Sequence, residues 1–265
     1  MPSTPHDALF KAAFAQPETA AEFVRARLSP ALVAAIDWDS MAAVSGSFVD
    51  PELRQRHSDL LFSAAVRDAN DARAYFYLLL EHQSSNDSDM PLRVLIYMTR
   101  IWEHFRRQHP DAPLPVVLPF VVSHAPGGWT APTRFAELFD PHARELEGVA
   151  AHLPNFEFLL DDLATFSDDQ IRQRVAAVFG QLVLWAFRDA RNAHTLLPKL
   201  PAWARAFSAV LRAPNGQAAL EQLFRYLAEV TEDMHFDTIR ATIVELAPEA
   251  EPAARTISVV AAGLS

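Results

Sequence analysis

Ser58-Asp59-Leu60-Leu61-Phe62-Ser63-Ala64-Ala65-Val66-Arg67 (residues 58–67) and Ala74-Tyr75-Phe76-Tyr77-Leu78-Leu79-Leu80-Glu81-His82-Gln83 (residues 74–83) both read as β-strands. Each has strand length, and the second is rich in the aromatic and branched residues that suit a pleated surface. The intervening Asp68 to Ala72 carries Asp68, Asn70 and Asp71, whose side chains favour turns by bonding to nearby backbone. The two strands are therefore expected to pair as an antiparallel hairpin. The start of the first then lies beside the end of the second, and Asp59 meets Glu81. Side chains alternate faces along a strand, so Glu81 and Gln83 share a side.

Two carboxylates brought together at a strand end repel each other, and a cation relieves the repulsion. Mg²⁺ suits such a place because it takes carboxylate, carbonyl and water oxygens and keeps several waters. Asp59 and Glu81 are the candidate ligands, with the backbone carbonyl of His82 as a further one. The His82 side chain is expected on the opposite face. Taken singly, Asp59 reads equally well as a strand terminator, Glu81 as a solvated strand end and Gln83 as a loop-satisfying amide.

Outward from the hairpin, His6 to Leu28 reads as a helix broken by Pro17, with His6 and Asp7 as its N-cap pair. Ala42 to Val49 reads as a strand. Pro91 opens a helix to about Gln108, a position where the missing N–H costs nothing. On it, Tyr97, Trp102 and Phe105 are core candidates, Arg106-Arg107 a solvated pair, and Arg93 a group that pairs with Asp87 or Asp89. Leu114 to Val122 is a continuous apolar run between Pro113 and the turn Ala125-Pro126-Gly127-Gly128, as in a strand buried on both faces. The order over residues 5–124 is α-β-β-β-α-β. A helix crossing between strands implies a mixed sheet with parallel pairing across it.

After Gly128 the periodicity turns helical: Phe135 to Phe139, Gln170 to Asp189, Leu200 to Arg212 and Ala218 to Asp233. The expected division is an α/β domain over 1–140 and a mostly helical region over 141–265. Arg188-Asp189-Ala190-Arg191 reads as a salt-bridged surface, and Ala247 to Ala254 as a loose connector.

The net charge is −10 over 265 residues. Residues 1–130 carry −4 and the remainder −6, so neither half offers the clustered cations that unspecific phosphate binding requires. There is no cysteine, which excludes disulfides, thiolate zinc sites and a Cys nucleophile. No apolar run reaches the ~18 residues of a membrane span, and Met1 to Phe14 shows no secretory pattern. A cytoplasmic protein without membrane contact is expected. The ten histidines form no zinc spacing, and neither a Gly-rich phosphate loop nor a G-x-S-x-G elbow is present.

Several strings, in this order, resemble one family: His6-Asp7-Ala8-Leu9-Phe10-Lys11; Gly46-Ser47-Phe48-Val49-Asp50; Arg56-His57-Ser58-Asp59-Leu60-Leu61; Tyr77-Leu78-Leu79-Leu80-Glu81-His82-Gln83-Ser84-Ser85; Met90-Pro91-Leu92-Arg93; and Tyr97-Met98 with Ile101-Trp102-Glu103. Leu114-Pro115-Val116-Val117, followed by a His124 to Trp129 turn, extends the match. The chain thus resembles the Rpn (YhgA-like) recombination-promoting nuclease and transposase family of the PD-(D/E)XK superfamily, strongly over about the first 140 residues. The resemblance implies a restriction-endonuclease-like α-β-β-β-α-β core and an endonuclease that hydrolyses DNA with Mg²⁺, Mn²⁺ being able to substitute. It implies Asp59 and Glu81 as metal-binding catalytic acids, with Gln83 standing where the superfamily more often has lysine. Gln83 then orients the water or phosphate, but as a neutral amide it cannot supply lysine's charge. Arg93 is the candidate phosphate contact, DNA the partner, and a homodimer the expected assembly. The competing expectation is a non-catalytic or partner-dependent protein built on the same fold.

Overall fold

The computed structural model describes residues 5–44, 58–67, 73–81, 86–231 and 233–262. The chain divides into two compact units, one of Val24–Thr165 and one joining the chain up to Phe23 with Phe166 onward. The division expected at residue 140 falls inside the first of these, between its last two strands.

The first unit is built on a sheet. After α1 (Pro5–Phe14), α2 (Pro17–Arg25) and α3 (Pro30–Ala35) come β1 (Ile36–Ala43), β2 (Ser58–Val66), β3 (Arg73–Glu81), α4 (Met90–Gln108), β4 (Val116–Ser123) and β5 (Leu159–Asp162). Among the described residues these strands form one five-stranded sheet in the order β1-β2-β3-β4-β5. The first two pairings are antiparallel and the last two parallel. The expected hairpin and the parallel step across α4 are both present.

One face of the sheet lies under α4. Met90, Val94, Tyr97, Met98 and Ile101 recur at helical spacing and pack with Val117, Val121 and Phe158, joined by Leu61, Tyr75, Trp102 and Leu160. That stripe explains why the helix holds so firmly, since each fully buried aliphatic side chain contributes roughly 1.5–3 kcal/mol. Phe62, Ala64, Ala74, Phe76, Phe120 and Val122 occupy the opposite face and are also buried. Burial on both faces is why β4 reads as an unbroken apolar run, although it begins at Val116, whose side chain is exposed along with Leu114.

One expectation needs correction in this unit. The strand read at Ala42 to Val49 begins at Ile36 instead, and Ser45 to Val49 lie outside the described residues. Its register against β2 shifts between Asp37 and Ala42. Ser40 bridges the irregularity: its hydroxyl donates to the Asp37 carbonyl at 2.6 Å and accepts from Ala65 N at 2.8 Å. That irregularity blurs the alternation a strand should show. Beyond α2, Pro30 opens α3, capped by Ser29, whose hydroxyl accepts from Leu32 N. The strand β5 went unread because four residues, Leu-Leu-Asp-Asp, are too few to show a period.

The second unit is helical: α1 with α5 (Asp168–Arg174), α6 (Val178–Asp189), α7 (Leu200–Leu211), α8 (Gly216–Val230), α9 (Asp233–Leu246) and α10 (Glu251–Ala262). Leu182 to Phe187 in α6 are all fully buried, as expected for a helix apolar on every side. Trp185 stacks on Trp203 of α7 with ring centroids 5.3 Å apart. α1 starts at Pro5, so Asp7 stands in its first turn, buried, rather than at its cap. The Ala247 to Ala254 stretch is ordered as a 3-10 turn, Pro248–Ala250, leading into α10. Its alanines are buried, so small size for close packing, not looseness, accounts for the composition. The Arg188-Asp189 pair is also internal. Arg188 bonds both Asp189 and Asp168, and Lys199 reaches Asp189 at 2.9 Å.

Candidate functional site

The two candidate acids stand on neighbouring strands. Asp59 in β2 is the register partner of Leu79 in β3, and Glu81 lies two residues beyond Leu79. Opposed residues share a face and so do residues two apart, which puts Asp59 and Glu81 on one face at diagonal positions, typically ~7–8 Å apart. Leu61, two residues after Asp59, packs beneath α4, so this is the face that α4 covers. For Asp59 and Glu81 the description extends to backbone and register. His82 and Gln83 lie outside the described residues.

The same end of the sheet continues into β4 and β5. Glu81 is the partner of Ser123, and Ser123 of Asp162. One face therefore carries Asp59, Glu81, Ser123 and Asp162 across four adjacent strands. Ser123 is fully buried and its hydroxyl accepts from Ala125 N at 3.3 Å. Among the described residues no group of three or more His, Asp or Glu side chains is arranged to hold a metal ion. Asp59 and Glu81 are the acidic positions on this face that could take part in a metal site. Two carboxylates at diagonal positions of one face fit a hard cation, which prefers carboxylate oxygen and completes its shell with water.

Arg93 sits one turn into α4. Its guanidinium is ion-paired with Asp87, both side chains mostly shielded. Asp87 also accepts from Asp89 N at 2.9 Å, ahead of the helix start. The pairing expected for Arg93 is present, with Asp87 rather than Asp89. Arg106 and Arg107 are exposed at the other end of the helix, where Arg106 donates to the carbonyls of Pro110 and Ala112.

Asn86 and Asp162 were not among the candidates read from the sequence. Ala125-Pro126-Gly127-Gly128 closes as a turn, with Gly128 N on the Ala125 carbonyl at 3.1 Å and Gly127 at φ +83°. Proline then glycine at the central positions is the type II signature. Asp162 accepts from Trp129 N at 2.8 Å just past this turn. Asn86 Nδ2 donates to the Gly128 carbonyl at 3.0 Å and to Thr130 Oγ1 at 2.9 Å. The turn was legible; its two partners, 33 and 42 residues away in sequence, were not.

The fold and these positions define a mixed α/β protein with paired acidic positions at the strand ends of a five-stranded sheet. The chain belongs to the family described as "Putative transposase, YhgA-like", whose sequence model matches residues 4–213. It is similar to the recombination-promoting nuclease RpnD of Escherichia coli O157:H7, 34% identical over 184 residues, covering 68% of this chain and 67% of that protein. It is also similar to the recombination-promoting nuclease RpnA of Escherichia coli K12, 28% identical over 265 residues, 97% of this chain and 82% of that one. A third relative from that strain, the inactive recombination-promoting nuclease-like protein RpnE, is 28% identical over 251 residues, 93% and 77% of the two chains. No solved structure matches the chain. No helix among the described residues is long and apolar enough to cross a membrane.

Proposed function

We propose that this protein is a Mg²⁺-dependent DNA endonuclease with a PD-(D/E)XK core, in which Asp59 and Glu81 hold the metal. The observation that carries the reading is the β2–β3 register, with Asp59 opposite Leu79 and Glu81 two residues further along the same face. The α-β-β-β-α-β order and the relatives named as recombination-promoting nucleases support it.

A bound Mg²⁺ would supply the charge that polarises the scissile phosphate and acidifies the attacking water. The chain's own residues do the rest. Asp59 and Glu81 would fix the cation beside the backbone carbonyl of His82. The Gln83 amide can donate to a phosphate oxygen or accept from the water, orienting either, but adds no positive charge. Arg93 supplies charge by contacting a phosphate once it leaves Asp87, because a guanidinium can grip phosphate bidentately.

The metal part is tested by thermal unfolding with and without Ca²⁺ or Mg²⁺. The wild type should gain stability, since a ligand bound only by the folded state raises its unfolding temperature. Asp59→Ala should lose the response. An identical response in both proteins would remove Asp59 from the site. A second reading, a non-catalytic or partner-dependent protein, is favoured by the name of RpnE and by the net charge of −10. It predicts metal binding without cleavage.

A further inference from the structure

α4 carries four arginines, Arg93, Arg100, Arg106 and Arg107, against one acid, Glu103. Its local charge of +3 sits in a chain of −10. Arg93, Arg100 and Arg107 fall at i, i+7 and i+14. Seven residues drift only ~20° around a straight helix, so these three form one stripe, spaced ~10.5 Å apart along the axis. The stripe lies off the inner face, which Met90, Val94, Tyr97, Met98 and Ile101 supply. Arg106 is turned elsewhere. It donates to the carbonyls of Pro110 and Ala112 and serves the helix end, where cations are favoured.

The stripe has a direction on the sheet. Near its last turns α4 meets the start of β4, where Trp102 Nε1 donates to the Pro115 carbonyl at 2.9 Å. Val116 there pairs with Ala74, near the beginning of β3, whereas Glu81 at the other end of β3 pairs with Ser123. Ahead of α4, Asn86 bonds Gly128 and Thr130, which follow the Ser123 end of β4. The helix therefore runs back along the sheet from the Glu81 end. Arg93 is nearest that end, and Arg107 lies ~21 Å further along the axis.

The present partners of the stripe are exchangeable. Arg100 pairs with Glu103 at 3.0 Å, both side chains about half exposed, and surface pairs of this kind hold weakly. Arg107 is exposed. Arg93 is the most shielded of the three and pairs with Asp87. A polyanion that meets all three gains from the counterions it releases, which a single carboxylate does not. A second copy of the chain does not suit this flank, because antiparallel α4 helices would set arginine against arginine, a costly like-charge contact. Duplex DNA does suit it. With one negative charge per ~1.7 Å of axis, it faces the ~21 Å stripe with about a dozen phosphates.

We infer that Arg93, Arg100 and Arg107 form a track for the backbone of duplex DNA, which leads away from the Glu81 end of the sheet along α4. The inference rests on the nuclease reading above and extends it from the place of cutting to the path of the substrate. It gives an acidic chain the local row of cations that phosphate binding requires.

The test measures binding of a labelled DNA duplex to the full chain in Ca²⁺, by fluorescence anisotropy over a range of salt concentrations. Arg100→Gln and Arg107→Gln change exposed side chains, and thermal unfolding checks that both variants fold as the wild type does. Each should reduce the log–log salt slope by about 0.9, and the double variant by about 1.8, because each loses one phosphate contact. Arg255→Gln makes the same change of net charge in the other unit, at a side chain 76% exposed, and should keep the wild-type slope. Wild-type slopes in both α4 variants, beside a wild type that binds the duplex, overturn the track and spare the nuclease reading. An equal loss of slope in Arg255→Gln also overturns the track, since net charge alone would then govern binding. A wild type that neither binds nor cuts the duplex overturns both.

Discussion

Arg93 is held by Asp87, and the proposed phosphate contact requires it to exchange that carboxylate for a phosphate. Arg93→Ala should weaken DNA binding with a shallower salt dependence, reducing the log–log slope by about 1, because one phosphate contact is lost. Binding measured from low to moderate salt checks this, and an unchanged slope would leave Arg93 with a structural role only. The places of Asp59, Glu81 and Arg93 in the fold were legible because each lies in a local string with a local reason: a strand end, a strand end and a helix start. Even the Arg93–Asp87 pairing follows from six residues of separation. Asp162 was illegible for the opposite reason. Nothing in Leu-Leu-Asp-Asp says which acid will be claimed by a backbone N–H 33 residues earlier.

At the scale of elements, the hairpin and α4 were readable because turn residues and an apolar stripe announce them, whereas β5 exists only through its pairing with β4. The helical unit shows another limit. Arg188-Asp189 looks like a solvated pair in sequence, yet Arg188 and Asp189 have side chains only 7% and 4% exposed. Partners from α5 and the turn before α7 complete the network. Burial alone would push the Asp168 carboxyl up, but hydrogen bonding and charge from Arg188, with Trp203 and Lys199, outweigh it and hold it below its ordinary value. A lowered folded value stabilises the protein above the unfolded aspartate value of ~3.9, and that contribution is lost as pH falls through the folded value. Asp168→Asn should therefore cost about 2 kcal/mol near pH 7 and progressively less below pH ~4. Thermal unfolding across pH 7 to 2 reads this, and a constant difference would contradict it. Arg188→Met leaves Asp189 buried with Lys199 alone and should cost ~3 kcal/mol.

For the whole molecule the charge of −10 sets the terms. The proposed activity requires DNA to be met at a local set of groups with the metal's help, since a net negative charge gives no overall attraction to phosphate. A homodimer would let two sites address two strands, and light scattering coupled to size exclusion should give twice the chain mass of 29.5 kDa; a clean monomer would end that expectation. The central claim is hydrolysis at Asp59 and Glu81, and plasmid nicking addresses it most directly. Wild type, Asp59→Ala and Glu81→Ala are compared in Mg²⁺, Mn²⁺, Ca²⁺ and EDTA. The account predicts cutting by the wild type with Mg²⁺ or Mn²⁺, none in EDTA, and a loss of at least about a hundredfold in either variant. A folded, metal-binding wild type that cuts neither duplex nor single strands, or variants that cut as well as the wild type, would contradict it.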